Sequence, residues 1–67
     1  MWGDIVIIYH FTVNGSKKAA EVAIGLVELT GSMVCIRPFE EQKFLLSIWL
    51  RDEDELAKVG KFLDRSL

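Results

Sequence analysis

The stretch NGSKKAAEVAIGLVELTG, Asn14 to Gly31, decides the fold because it can be read two ways. Asn14-Gly15 is the strongest two-residue signal for a tight hairpin, which would send the chain back as a second strand. Against that, Lys18, Glu21, Gly25 and Glu28 recur at spacings of 3, 4 and 3. They make one polar stripe on a helix, and Ala19, Ala20, Val22, Ala23, Ile24, Leu26 and Val27 cover the rest. The alanines favour a helix and do little for a strand. The periodicity therefore predicts a helix over 16–29, with Ser16 as N-cap and Thr30-Gly31 as its end. Gly25 costs about 1 kcal/mol against Ala inside a helix, and close helix–sheet contact would compensate. A hairpin with a second strand stays open as the competing reading.

On either side of this stretch the chain reads as strands and a second helix. Asp4 to Val13, DIVIIYHFTV, is almost wholly β-branched or aromatic, as a strand buried on at least one face requires. Ser32 to Arg37, SMVCIR, is a short strand that Pro38 should close, since proline cannot donate a ladder hydrogen bond. Phe39 to Gln42 reads as a polar hairpin loop, and Lys43 to Arg51, KFLLSIWLR, as the returning strand. Asp52 and Glu55 then have capping-box spacing at the start of a second helix. Acidic residues at that end and Lys58, Lys61 and Arg65 toward the other suit the helix dipole. Leu56, Val59, Leu63 and Leu67 give this helix its buried stripe. The order is β-α-β-β-α. The expectation is an α+β fold: one small domain over 1–67, with a three-stranded mixed sheet and both helices on one face. A parallel β-α-β crossover would be followed by an antiparallel hairpin.

Composition limits the function. The chain has 67 residues, 51% hydrophobic and 27% charged, so it carries enough apolar surface to collapse. A single Cys forms no internal disulfide and points to a reducing, cytoplasmic setting. One Cys and one His do not supply a usual Cys/His metal cluster, and no cofactor is expected. The longest aliphatic or aromatic run, Ile5 to Tyr9, falls far short of the ~20 residues that span a bilayer, and no basic region precedes it. The formal net charge of −2 gives no general attraction to nucleic acid or anionic lipid.

The strand period of two sorts the side chains into two faces. Ile5, Ile7, Tyr9, Phe11, Val13, Val34, Ile36, Phe44, Leu46, Ile48 and Leu50 are uniformly apolar and should lie under the helices. Val6, Ile8, His10, Thr12, Met33, Cys35, Arg37, Lys43, Leu45, Ser47 and Trp49 are mixed, as on a face that meets solvent or a ligand. Three uses of that face follow. Trp49 could stack a base while Arg37 and Lys43 hold phosphate. The apolar members could close a homodimer or receive a partner protein. Or further protein could cover the face, if the chain is part of something larger. His10 has neither a carboxylate nor a second His close by in sequence, and Cys35 has only Arg37 as a nearby cation. Neither pairing makes a nucleophile–base arrangement, so no enzyme is expected.

From Gly31 to Leu67 the chain resembles the cap-binding translation initiation factor family, which holds the methylated guanosine cap of eukaryotic mRNA. The matching residues are GSMVCIR, a short polar loop, KFLLSIW, an acidic run, and a helix with Leu56, Val59-Gly60, Lys61 and Phe62. Over 1–30 the likeness is in outline, through the order of strand and helix. The resemblance implies that Arg37 and Lys43 contact cap phosphates and that Trp49 lies near the guanine methyl group. Met1-Trp2-Gly3-Asp4 resembles the family's Met-Trp-Glu-Asp, which would make Trp2 a stacking residue. Gly3 stands where that family has its guanine-reading Glu. The expected function is a non-catalytic binding module for a capped nucleotide or single-stranded RNA, with Trp49, Arg37, Lys43 and Trp2 as ligand residues. The alternative is a homo-oligomeric interaction domain that buries the same face and binds no nucleotide. No membrane partner is expected.

Overall fold

A computed structural model describes residues 7–67. The elements are β1 (Ile7–Asn14), α1 (Ser16–Thr30), β2 (Val34–Glu40), β3 (Lys43–Leu50) and α2 (Glu53–Ser66). The segment after Asn14 is thus helical, and the α+β class and the β-α-β-β-α order stand as expected. The first residues of the expected strand and the Met1–Asp4 motif, Trp2 included, lie outside the described residues, as do Ile5 and Val6.

The sheet is antiparallel throughout rather than mixed. Its order is β1-β3-β2, and β3 pairs antiparallel with both neighbours. β1 and β2 therefore run the same way but never touch as a parallel pair, because β3 is inserted between them. Composition explains the placement. β3 buries Leu46, Ile48 and Leu50 on one face and Ser47 on the other, which suits a central strand. β2 carries Arg37 and Pro38, residues that blunt a sheet edge.

Pro38 does not close β2. The strand runs through it to Glu40, with a register irregularity between Pro38 and Glu40. An edge strand tolerates proline where the missing N–H would face away from its neighbour. The hairpin loop shrinks accordingly to the turn at Glu41 and Gln42, with Gln42 at φ 62°.

Both helices pack on one face. The core joins Val13, Leu46, Ile48 and Leu50 of the sheet to Ala19, Val22, Ala23 and Leu26 of α1 and Val59 and Leu63 of α2. Ile36 departs from the expected set. It stays 42% exposed because it lies on the outer strand, where helix cover ends. Leu67 is also exposed, just past the end of α2, and Phe62 packs against the core instead.

The helix ends are built differently. Gly15, not Ser16, occupies the N-cap position of α1, at φ 89°, with no side-chain cap. Its N–H donates to the Gln42 carbonyl at 2.6 Å, tying the β1–α1 turn to the β2–β3 turn. Gly31 ends α1 in the left-handed conformation, φ 71°, and its N–H donates to the Val27 carbonyl. At α2 the Asp52 side chain accepts from the Glu55 N–H at 3.0 Å. The Glu55 carboxylate accepts from the Arg51 N–H at 2.7 Å, one residue upstream of the usual capping-box partner. Gly25 meets the ring of Phe62 on α2, so its close approach is between helices and not onto the sheet.

Candidate functional site on the open sheet face

The face turned away from the helices presents its side chains in rows across the strands. Ile8 pairs with Trp49; His10, Ser47 and Cys35 line up next; Thr12, Leu45 and Arg37 follow; Asn14 and Lys43 close the series near the hairpin. Rows on one face are two residues apart, so they repeat about every 6.6 Å along the strands.

Trp49 and Arg37 line one hollow of about 440 Å³ together with Ile8, His10, Cys35, Ile36 and Ser47. They stand in rows about 13 Å apart along the strand direction, with the His10–Ser47–Cys35 row between them. Ser47 is 4% exposed although no helix covers it, because it is the middle residue of the central strand. Its hydroxyl is satisfied by His10 Nδ1 at 2.7 Å. His10 itself is exposed, so the rest of its ring faces the hollow. The floor is thus a hydrogen-bonded imidazole–hydroxyl pair, with an indole at one end and a guanidinium at the other.

Lys43 does not join this set. It sits one row beyond Arg37, does not line the hollow, and forms an exposed ion pair with Glu40 at 3.4 Å. Such pairs are weak and readily exchanged for water or another anion. The fourth predicted residue, Trp2, lies outside the described residues.

Sequence reasoning left His10 without a partner. Its partner is 37 residues away, and only the β1–β3 register brings the two together. The usable signal was parity: both residues fall on the face that alternation had already marked as open. Among the described residues, no three or more His, Cys, Asp or Glu side chains gather where a metal ion could sit, and no helix is long and apolar enough to cross a membrane. Comparison of the chain with protein-family models, curated proteins and solved structures finds no match.

Proposed function

We propose that this domain is a non-catalytic binding module that takes a nucleotide or a short single-stranded RNA on its open sheet face. One observation carries the reading: Trp49 and Arg37 border the same hollow, with the His10–Ser47 pair between them. Bases stack on exposed aromatic faces with little regard to sequence. A guanidinium is suited to bidentate contact with phosphate. The row between them supplies an imidazole and a hydroxyl at the height of a ribose. Base, sugar and phosphate would then lie in series along β3. Lys43 would supplement Arg37 by leaving Glu40, at small cost. The net charge of −2 gives no long-range attraction, so affinity would come from these local contacts. The resemblance to the cap-binding family makes a methylated guanosine nucleotide the first ligand to try. The single Cys fits work in the cytoplasm.

Trp49 fluorescence tests the reading. Titration with a cap analogue, and separately with an unmethylated guanosine nucleotide, should quench it. Trp49→Phe identifies which part of the signal belongs to position 49, and Arg37→Ala should weaken binding about tenfold, as loss of a charged hydrogen bond does. A flat titration at millimolar ligand removes the proposal.

A second use of the same face is favoured by Ile8 and Trp49. They are cross-strand neighbours, and they remain 49% and 36% exposed. Self-association through the face would bury both. Mass in solution with and without cap analogue separates the two uses, since a face-closed dimer should come apart as ligand enters.

A further inference from the structure

His10 and Ser47 share one hydrogen bond across the β1–β3 pair, 2.7 Å between Nδ1 and the hydroxyl oxygen. A neutral imidazole has one N–H and one bare nitrogen, so this bond fixes what the other nitrogen offers to the hollow. If Nδ1 donates to Ser47, Nε2 is left as an acceptor, and the Ser47 hydrogen needs an acceptor of its own. Ser47 is 4% exposed and its side chain has no further hydrogen bond among the described residues. A buried donor without a partner is costly. If the Ser47 hydroxyl donates to Nδ1 instead, Nε2 carries the proton and both groups are satisfied. This second arrangement is the favoured one. It turns an N–H of His10 to the hollow, and His10 is exposed where Ser47 is not. The group it meets on a ligand is then an acceptor.

The register says which part of a nucleotide that is. Trp49 is on β3, the central strand; Arg37 is on β2, two rows away; His10 is on β1, in the row between. The line from Trp49 to Arg37 therefore leans toward β2. In the middle row it passes about 7 Å to the side of His10, on standard strand and residue spacings. The imidazole bridges part of that gap, because it leans inward to reach Ser47. In a nucleoside 5′-phosphate the sugar links base to phosphate, with its hydroxyls along one side of the link and its ring oxygen on the other. On the β1 side of the middle row stands His10, a strong donor; on the β2 side stands Cys35, whose thiol is a weak hydrogen-bonding group. The hydroxyl edge is better satisfied against His10. Of its two groups, the 3′ oxygen is esterified within an RNA strand, so the 2′-hydroxyl is the one free in nucleotide and RNA alike.

We propose that His10 Nε2–H donates to the 2′-hydroxyl of the bound nucleotide and so selects ribonucleotides and RNA over their deoxy forms. The proposal rests on the nucleotide reading above and names the sugar that site takes. Ser47 acts through His10, as a positioning residue that holds the ring and its tautomer.

Trp49 fluorescence titration with guanosine 5′-diphosphate and with its 2′-deoxy form is the test. The deoxy form should bind about fivefold more weakly, the effect of one exposed hydrogen bond. His10→Phe keeps a ring on the sheet without a donor, and should bring the two ligands to equal affinity. His10→Gln offers an amide N–H at similar reach and should restore part of the preference. Thr12→Ala, on the same strand but not lining the hollow, should keep it in full. NMR of the His10 ring nitrogens, recorded without ligand under alkaline conditions, should find the proton on Nε2, and circular dichroism confirms that the variants fold. A preference that survives His10→Phe, one lost in Thr12→Ala, or a ring protonated on Nδ1 would overturn the proposal. Equal quenching by both nucleotides in the wild-type chain removes it and leaves the nucleotide reading standing. A flat titration with both removes the two together.

Discussion

Gly25 of α1 lies against the ring of Phe62 of α2, and a methyl group at position 25 would overlap the end of that ring. The two helices meet here because one of them has no side chain. A glycine inside a helix is costly, so this contact is where the cost is offset.

Gly25→Ala should destabilise the domain although alanine is the better helix former. The propensity gain is about 1 kcal/mol. Displacing a packed ring costs about 1–3 kcal/mol. The net loss should be about 1 kcal/mol, a fall of about 4–8 °C in midpoint for a domain of this size. Gly25→Ala with Phe62→Leu should recover part of it, and thermal melts of the four proteins form the cycle.

Asp52→Ala should lower stability by about 1 kcal/mol, because the Asp52 carboxylate accepts from the Glu55 N–H at the start of α2. Asp52→Asn should lose less, since the amide oxygen still caps. Urea titration of the three chains measures the difference.

Gln42→Gly should raise stability by about 0.5–1 kcal/mol. Gln42 is the one non-glycine residue with positive φ among the described residues, and glycine adopts that conformation without a Cβ penalty. The Gln42 carbonyl that accepts from Gly15 belongs to the backbone and survives the change. A higher melting midpoint checks this.

Ser47→Ala should separate folding from binding. It removes the hydroxyl bonded to His10, but His10 is exposed and water can replace the contact. Stability should change by less than about 1 kcal/mol. Affinity for a nucleotide should fall, because the floor of the hollow loses one of its two polar groups. An affinity equal to wild type would remove Ser47 from the site.

Leu46→Ala should be far more damaging. Leu46 is fully buried on the central strand, and such truncations cost about 2–5 kcal/mol. A domain of 67 residues has a total stability of only about 3–10 kcal/mol. Most or all of the cooperative unfolding transition should be lost in a urea titration.

Much of the lining of the hollow is legible in the sequence. Alternation alone put Ile8, His10, Cys35, Arg37, Ser47 and Trp49 on one face, and these are the residues that line the hollow together with Ile36. Ile36 was misplaced because parity says which way a side chain points, not whether a helix reaches far enough to cover it. Lys43 and Arg37 share the mixed face by alternation, which does not say how far apart along the strands they stand. They stand in different rows, and Glu40 is near enough to pair with Lys43. Ser16 looked like a cap by residue type, yet the turn is fastened by the Gly15 backbone to a carbonyl from another turn.

The amino-acid sequence by itself determined the order of the elements on either side of Asn14–Gly31, the capping of α2 by Asp52 and the division of the strands into an apolar and a mixed face, and it favoured a helix over a hairpin after Asn14. These are local properties: they depend on periods of two and 3.6 residues and on single residues at element ends. Tertiary structure alone decided that β3 lies between β1 and β2, that His10 meets Ser47, and that β2 is an edge through which Pro38 can pass. Those outcomes depend on which distant strands bury the most apolar surface together. A one-dimensional pattern carries no term for that choice.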